Sequence, residues 1–451
     1  MDVKDRELLE KSIIKIGKFN RFGSKPGLER VSELLHRLND PQKDLKVIHV
    51  GGTNGKGSVC RYVYSALQES GYKTGLFISP YIEEFTERIE YDGKQISPAD
   101  LYRITELVIE KADEMVQEGL ESPTEFEVLT AIAMYYYKEK GADPVVLEVG
   151  LGGRGDSTNI IEKALASCIV SVSFDHMDYL GDSLRQIAWE KAGIIKEGSP
   201  VVFFSEEPEV TYEIRSKANE KNAEVINCAE LEPHILDENM MSTEFSVEID
   251  HKVYEKIRIN MPGGHQVSNA VCALQIFEVL KKQGYDLPDD AVQRGMSAAK
   301  QPGRIEIVKD EPFIVLDGSH NGDSVKALKK WAEKSFSEDD DILIVTGVLK
   351  DKEYELMAEM LSCIGKDFII TEPDNPRKLD AELYKETFEN FLKPKQEICI
   401  IKDTEKAAEE ALNKIFVKEN GNKSYKALIF TGSLYMIGVV RGKLMRMITE
   451  V

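Results

Sequence analysis

The amino-acid sequence predicts an α/β protein with two domains, the first built around a mainly parallel sheet and the second a doubly wound unit. Its 451 residues exceed what one hydrophobic core usually organises. Short apolar runs alternate with segments of helical periodicity, which is typical of α/β domains. Residues 301–306 read as a linker that enters a new strand, after which the alternation begins again. We therefore expect a first domain over residues 1–297, a linker over 298–302 and a second domain over 303–451.

The elements of the first domain follow from the spacing of apolar residues. Residues 1–44 are predicted to be mostly helical, because apolar side chains recur at helical spacing at Leu28, Val31, Leu34, Leu35 and Leu38. The other predicted elements are strands over 45–50, 73–78, 144–149 and 166–173, helices over 58–70, 101–116, 124–138 and 183–192, a strand, helix and strand over 201–228, a hairpin over 243–259, and a helix that ends near residue 282.

The second domain repeats the alternation of short apolar runs and helices. This pattern is typical of a doubly wound, Rossmann-like sheet with helices on both faces. Its predicted strands cover residues 313–316, 342–345, 368–370, 398–401 and 427–430.

A glycine-rich turn between a strand and a helix, Gly51-Gly52-Thr53-Asn54-Gly55-Lys56-Gly57-Ser58, is the strongest functional signal. Glycines let backbone N–H groups approach phosphate oxygens, the helix N-terminus favours negative charge, and Lys56 supplies a full positive charge. We expect Ser58 to hold a magnesium ion, as the serine or threonine of such loops does. The common P-loop pattern has glycine where Val50 stands and serine or threonine where Gly57 stands, so a plain turn is the alternative.

Two candidate side chains lie where predicted strands end. Glu148 lies inside the apolar run 144–149 near its C-terminal end, and the glycine-rich segment Gly150–Asp156 follows that run directly. His176 lies just beyond the strand predicted over 166–173. Open α/β sheets bind ligands at the carboxyl ends of their strands, so both side chains are candidate ligands for the same site. A satisfied strand residue and a structural histidine are the respective alternatives.

The composition excludes several classes of partner and compartment. The net charge is −21 and no basic block stands out, which excludes nucleic acid and anionic membranes as main partners. The six cysteines are scattered without a C-x-x-C pair, which is typical of reduced thiols rather than disulfides or zinc ligands. The first residues lack a signal-peptide core and no apolar run reaches membrane-spanning length, so we expect a cytoplasmic protein.

Several motifs together resemble the Mur ligase superfamily and, within it, the folylpolyglutamate and dihydrofolate synthases. The resemblance runs from about Gly27 to Gly438. Three residues depart from the family pattern, namely Tyr81 in place of histidine, Ser319 in place of alanine and Gly322 in place of proline. Besides the glycine-rich turn, the similar segments are Ser79-Pro80-Tyr81, 85–89, 124–127, Glu190-Lys191-Ala192-Gly193, 262–270, Asp317–Asn321, 347–352 and 431–435.

The resemblance implies a nucleotide site and two magnesium sites. ATP would be bound by Thr53, Asn54, Gly55, Lys56, Gly57 and Ser58 of the loop, by Asn269, and by Arg304 and Asp317 of the second domain, so that ATP is shared by the two domains. Ser58 would hold one magnesium ion. The second ion would be held by Ser79, Glu148, His176 and Lys191, the last carbamylated.

The resemblance also implies catalytic roles for Lys56, Lys191, His176 and His320. Carbamylation of Lys191 requires the neutral amine and therefore a lowered pKa, which burial or neighbouring cations would cause. From the residues alone, Lys191 reads as a solvated surface lysine and His320 as a loop histidine without a chemical task.

The activity implied by the resemblance is ATP-dependent amide formation, in which a folate or dihydropteroate carboxylate is activated as an acyl phosphate and then joined to L-glutamate. The expected partners are these small molecules, and we expect a monomer. One alternative is a ligase of cell-wall precursor synthesis. The other is a nucleotide-dependent binding protein that makes no product, although the guanine-reading pattern Asn-Lys-x-Asp has its nearest match in Asn422-Lys423-Ser424-Tyr425, which ends in tyrosine.

Overall fold

A computed structural model describes residues 2–22, 26–416 and 425–449 of the chain. The chain divides into two compact units, and the predicted two-domain α/β class is confirmed. The first unit comprises Met1–His234, Ser246–Ile257 and Ser268–Ala299, and the second comprises Ile235–Phe245, Arg258–Val267 and Lys300–Val451. The limits 1–297, 298–302 and 303–451 stay a prediction. Residues 422–424, which belong to the nearest guanine-reading match, lie outside the described residues.

The first part of the chain contains most of the predicted elements, with bounds that differ by a few residues. They are α1 (Val3–Gly17), α2 (Glu29–Arg37), β1 (Val47–Gly51), α3 (Lys56–Glu69), β2 (Gly75–Phe77), β3 (Ile89–Tyr91), β4 (Lys94–Gln95), α4 (Pro98–Gln117), α5 (Glu125–Lys140), β5 (Val145–Glu148), β6 (Ala166–Ile169), α6 (Met177–Leu180), α7 (Leu184–Ala192), β7 (Val201–Phe203), α8 (Pro208–Glu220), β8 (Val225–Asn227), β9 (His234–Glu238), β10 (Thr243–Ile249), β11 (Lys252–Ile259), α9 (His265–Lys282) and α10 (Asp289–Ala298).

An eight-stranded sheet of order β4-β3-β2-β5-β1-β6-β7-β8 forms the centre of the first unit. Strands β2, β5, β1, β6, β7 and β8 pair in parallel, while β3 and β4 add an antiparallel edge. The central strands β1, β5 and β6 are buried along their whole length, as strands covered on both faces must be. Parallel pairing brings the carboxyl ends of β2, β5, β1 and β6 to one edge of the sheet.

Five elements were not predicted: β3, β4, the short helix α6, β9 and α10. The antiparallel edge strands β3 and β4 are too short to show a clear period, and every residue of β9 is exposed. Helix α10 packs on α3 because Gly295 has no side chain: a Cβ there would lie 2.3 Å from Ala66 Cα. The predicted hairpin over 243–259 is confirmed as β10 and β11, with alternating burial in β10.

A six-stranded sheet of order β12-β13-β17-β14-β15-β16 forms the centre of the second unit. All neighbours pair in parallel except β12, which runs antiparallel to β13 at the edge. Its elements are β12 (Glu306–Asp310), β13 (Phe313–Asp317), α11 (Gly322–Ser335), β14 (Ile342–Thr346), α12 (Tyr354–Ile364), β15 (Asp367–Ile370), α13 (Ala381–Glu389), β16 (Glu397–Ile400), α14 (Thr404–Phe416), β17 (Ala427–Thr431) and α15 (Leu434–Thr449).

The hydrophobic cores lie between the sheets and their helices. One large cluster joins α4 and α5 to the strand residues Val145, Leu147 and Phe77, and another joins α11, α12 and α13 to the second sheet. Within the described residues, no helix combines the length and the apolar character needed to cross a membrane.

Candidate active site

The glycine-rich turn connects β1 to α3 and is fixed by contacts of its backbone. Gly52 and Gly55 have φ values of +137° and +84°, which side chains rarely adopt. A Cβ on Gly52 would lie 3.1 Å from Ser171 N, and one on Gly55 would lie 2.4 Å from Asn269 Oδ1. The glycines are therefore required by both conformation and close packing. This contact places Asn269, a predicted nucleotide ligand, against the turn.

Thr53 and Asn54 attach the turn to the segment that follows β6. Thr53 N donates to Ser171 O at 2.7 Å, and Asn54 N donates to Ser171 Oγ at 3.0 Å. Thr53 Oγ1 donates to Ser173 O at 3.1 Å. These two predicted phosphate-binding residues thus hold the turn in shape with their own N–H groups. Helix α3 begins at Lys56, and the N–H groups of Lys56–Ser58 have no partner within the helix. This is the geometry of an anion-binding helix N-terminus.

Two lysines share the carbonyl oxygen of Gly52. Lys56 Nζ donates to Gly52 O at 3.2 Å and to Thr53 O at 3.1 Å. Lys191 Nζ, contributed by α7, donates to Gly52 O at 2.9 Å. Lys191 is only 3% exposed, so the surface-lysine alternative is wrong. Burial, reinforced by the positive charge of Lys56 and opposed by Asp175, lowers the pKa of Lys191 to about 7.

Glu148 and Ser79 lie together at the same edge of the sheet. Glu148 is the last residue of β5, is 5% exposed, and pairs in register with Val50 directly before the turn. Its Oε2 accepts a hydrogen bond from Ser79 N at 3.0 Å. Ser79 follows β2, the other neighbour of β5. The strand-end position expected for Glu148 is confirmed.

His176 lies beyond β6, as expected, and next to a buried carboxylate. It has a φ of +50° and a half-exposed side chain. Its Nε2 lies 3.8 Å from Oδ2 of Asp175, whose side chain is 11% exposed. The predicted ligands Lys191 and His176 are linked through Asp175, which acts electrostatically on Lys191. Sequence reasoning assigned no role to Asp175, although it lies next to the chosen histidine.

Ser58 lies in the first turn of α3 and is 4% exposed. Tyr81, which stands where the family has histidine, contacts Arg88: the guanidinium carbon lies 5.0 Å from the ring centroid. Its ring also packs edge-on against Phe85 at 5.7 Å. The tyrosine therefore supports the segment after Ser79 through aromatic contacts.

The remaining predicted residues belong to the second unit. Asp317 is the last residue of β13 and is 3% exposed. Its Oδ2 accepts from Ile305 N at 2.9 Å and its Oδ1 from Ser319 N at 3.0 Å. Burial raises the pKa of Asp317, and the hydrogen bond from Ser319 and the charge of Arg304 oppose that shift. Asp317 and Arg304 thus form one electrostatic pair.

His320 is held by the loop between β13 and α11. Its Nδ1 lies 2.7 Å from Gly318 O, and its N–H donates to Ser324 Oγ at 3.1 Å. Nδ1 therefore carries a proton and donates, which leaves Nε2 as the acceptor of the neutral ring. The departure at Gly322 has a structural reason, because its N–H donates to Glu353 Oε2 at 3.0 Å and proline has no N–H.

Comparisons with known proteins agree with this arrangement. Residues 50–277 match the family model of the Mur ligase middle domain, and residues 303–433 match that of the Mur ligase, glutamate ligase domain. The chain is 37% identical over 428 residues to the dihydrofolate synthase/folylpolyglutamate synthase of Bacillus subtilis (strain 168), covering 94% of this chain and 96% of that protein.

Solved structures of folylpolyglutamate synthases are similar to this chain over nearly its whole length. The folylpolyglutamate synthase of Thermotoga maritima is 32% identical, with a TM-score of 0.83 and coverage of 97% of both chains. A folylpolyglutamate synthase of Mycobacterium tuberculosis, complexed with ADP and AMPPCP, is 29% identical, with a TM-score of 0.84 and coverage of 96% of this chain and 98% of that chain.

Proposed function

The chain belongs to the folylpolyglutamate and dihydrofolate synthases of the Mur ligase superfamily, and from this premise we propose how its residues carry out the reaction. It is an ATP-dependent ligase that joins L-glutamate to a folate through an amide bond. The cell-wall ligase and the non-catalytic binding protein, the two alternatives, are less well supported because the similar full-length proteins are folate synthases.

The observation that carries this function is the pair of lysines at the phosphate-binding turn. Lys56 and Lys191 both donate to Gly52 O, and α3 directs its N-terminus towards the same turn. Lys56 supplies the positive charge of the turn, while Lys191, whose pKa is lowered to about 7, is available at the same carbonyl as a neutral amine. A polyphosphate is the anion that fits a glycine-rich turn, a helix N-terminus and a lysine.

The reaction has two steps, and the protein contributes position and charge rather than a covalent intermediate. A carboxylate oxygen of the folate attacks the γ-phosphorus of ATP, ADP leaves, and an acyl phosphate forms. The amine of glutamate then attacks the acyl carbon and inorganic phosphate leaves. Lys56 and the N–H groups at the start of α3 neutralise the charge on the phosphates in the first step.

Lys191 acts as a carbamate in this scheme. Within the described part of the chain, Gly52 O is the one hydrogen-bond acceptor of Lys191 Nζ. A buried ammonium has three N–H donors and would leave two of them unsatisfied, which is costly. A carbamate keeps a single N–H, which matches the single acceptor. It forms when the neutral amine attacks carbon dioxide and releases one proton, and the lowered pKa makes the neutral amine available.

The oxygen donors Ser58, Ser79, Glu148 and the Lys191 carbamate fit magnesium, which prefers oxygen ligands, whereas His176 would contribute a less usual nitrogen. When bound, magnesium would neutralise the phosphate oxygens and orient them. Ser58 would hold one ion, while Ser79, Glu148, His176 and the Lys191 carbamate would hold the second. Among residues 2–22, 26–416 and 425–449, no three His, Cys, Asp or Glu side chains are grouped as metal ligands. The second site therefore depends on the carbamate for its second anion.

The other proposed roles concern the nucleotide and the incoming amino acid. Asn269 holds the nucleotide beside the turn. In the second unit, Arg304 and Asp317 are the residues assigned to nucleotide binding. His320, with Nε2 as an acceptor, is suited to receive a proton from the amine of glutamate. Dihydropteroate is the second candidate acceptor of glutamate, because the relative from Bacillus subtilis carries both synthase names.

A glutamate-incorporation assay tests the function and its substrate range. Purified protein, ATP and magnesium are incubated with labelled glutamate and either a tetrahydrofolate monoglutamate or dihydropteroate, and labelled product and ADP are measured together. We expect product from the folate with one ADP per amide bond. Product from dihydropteroate would establish the second activity. ADP release without labelled product from either acceptor would contradict the proposal.

A further inference from the structure

Arg154 caps the end of helix α7 from outside the helix. Its N–H donates to Glu190 O at 2.9 Å, and its Nη2 donates to Trp189 O at 3.1 Å. Both carbonyls belong to the last turn of α7, and Glu190 O also accepts from the N–H of the C-cap residue Gly193 at 3.2 Å. The guanidinium also places positive charge at the negative end of the helix dipole. The same turn of α7 carries Lys191.

The backbone around Arg154 is packed too closely against this turn for either to move independently. A Cβ on Gly153 would lie 3.0 Å from Lys191 Cα, and a Cβ on Gly193 would lie 2.5 Å from Arg154 Cα. Asn159 Nδ2 donates to Arg154 O at 3.0 Å and to Gly193 O at 3.1 Å. The loop after β5 and the end of α7 therefore form one interlocked structure.

The side chain of Arg154 adds a specific contact to this backbone packing. Its Cζ lies 3.5 Å from the centroid of the Trp189 ring, a close cation–π stack. Trp189 is 49% exposed, so the stack covers one face of an otherwise solvated ring. The guanidinium thus fixes the rotation of the last helical turn, and with it the direction in which Lys191 leaves the helix.

We propose that Arg154 is a positioning residue for the ligase reaction. By fixing the last turn of α7 against the loop that follows Glu148, it holds Lys191 Nζ at the carbonyl oxygen of Gly52. This inference rests on the proposed role of Lys191. The role of Arg154 accounts for the order of residues after Glu148. The glycines allow the loop to pack closely against α7, and Arg154 then holds the last turn of α7 through its hydrogen bond and its contact with Trp189.

The test compares Arg154→Met with Arg185→Met. Arg185 is a matched control on the same helix, because its guanidinium also lies over an aromatic ring (Tyr212, 5.6 Å) and pairs with Glu213 at 2.6 Å, but in the first turn. Carbamate is measured by carbon NMR with labelled bicarbonate, and kcat and the KM for ATP are measured separately. We expect Arg154→Met to lower kcat by about tenfold or more with little change in KM, and to weaken the carbamate signal. Arg185→Met should leave both unchanged.

Two further variants separate positioning from folding. Trp189→Ala removes the ring beneath the guanidinium and should reproduce the loss, whereas Trp189→Phe keeps an aromatic face and should restore most of the activity. The thermal unfolding midpoint of each variant is measured to check that the fold is intact. Equal kcat and carbamate signals in the Arg154 and Arg185 variants would overturn the positioning role. A missing carbamate signal in the wild-type protein would instead overturn the proposed role of Lys191, and this inference with it.

Discussion

The two units place a buried charged group at the same kind of position but satisfy it differently. In the first unit, the amine of Lys191 lies at the turn that follows β1, and Gly52 O is its single acceptor among the described residues. In the second unit, Asp317 ends β13, and each of its carboxylate oxygens accepts a backbone N–H, one from Ile305 and one from Ser319. The amine of Lys191 therefore has donors available for a ligand or a modification, whereas both carboxylate oxygens of Asp317 are already hydrogen-bonded.

This difference separates groups that catalyse from groups that position. Catalytic sites gain most when their dipoles and charges are aimed at a group that arrives with the substrate, and they are then less stable without it. A carboxylate that is satisfied by its own backbone instead fixes the loop around it. We therefore expect substitutions in the first unit to affect mainly the rate, and those around Asp317 to affect stability and nucleotide binding.

The largest expected effect is that of Lys56→Ala. Loss of the positive charge at the phosphate turn should lower kcat by about 100- to 1,000-fold while the thermal unfolding midpoint stays close to that of the wild type. The measurement is the glutamate-incorporation assay together with a melting curve. Lys46→Ala is the matched control, because Lys46 lies at the opposite end of β1, is 58% exposed and pairs with Asp143. Full activity with normal ATP affinity in Lys56→Ala would remove the basis of the assignment.

The second prediction is that substitutions of Lys191 and Asp317 shift the thermal unfolding midpoint in opposite directions. Lys191→Met should lower the ligase activity by about 100-fold and raise the unfolding midpoint above that of the uncarbamylated wild-type protein, because a poorly satisfied buried amine is removed. Arginine should not replace Lys191, since it cannot form a carbamate. Asp317→Asn should lower the midpoint, because one of the two oxygens that accept a backbone N–H is replaced by an NH2 group, which can only donate. The comparison fails if both variants shift the unfolding midpoint in the same direction.

The third prediction is a dependence of carbamate on pH. Because the pKa of Lys191 is lowered to about 7 from 10.5, the amine is neutral above pH 7 and protonated below it. Only the neutral amine forms a carbamate, so the carbamate signal should fall as the pH is lowered from 8 to 6, with the fold intact. In the unfolded chain Lys191 stays protonated up to about pH 10.5, whereas in the folded protein its amine loses the proton near pH 7. The contribution of Lys191 to the free energy of unfolding should therefore rise as the pH rises from 7 to 10. A carbamate signal independent of pH over this range would contradict the assignment.

The fourth prediction is that Arg304→Ala weakens ATP binding by about tenfold, the expected loss of one charge-assisted hydrogen bond. Calorimetric titration with ATP measures this directly. Arg377→Ala is the control, because Arg377 lies in the same unit, is 46% exposed and pairs with Asp351. Unchanged ATP affinity in the Arg304 variant would exclude a nucleotide role for this residue.

The smallest expected effect is that of Gly322→Pro, which introduces the residue usual in the family. It should cost about 1 kcal/mol of stability, because the N–H that donates to Glu353 is lost. Proline suits the backbone of the first position of α11, but a Cβ at residue 322 would lie 2.6 Å from Leu356 Cδ2, so that side chain must also shift and adds to the cost. A double-mutant cycle with Glu353→Ala measures the coupling between the two residues. Additive effects of the two substitutions would show that the hydrogen bond contributes nothing.

The sequence by itself determined the elements and the phosphate-binding turn. Helical and strand periods, turn glycines and a lysine before a helix are read along a short stretch of chain, so β1, α3 and Glu148 at the end of β5 were all predicted correctly. The order of many motifs also established the family, which no single motif would have done.

The tertiary structure decided the chemistry of the individual side chains. Lys191 reads as a surface lysine in the sequence, and it became buried against Gly52 only because the fold joins residues 139 positions apart. The interaction of Asp175 with Lys191 and the contact of Arg154 with Trp189 likewise depend on the fold. A pKa and a hydrogen-bond partner depend on what surrounds a side chain in space, and strand order, which a local pattern does not specify, controls those surroundings.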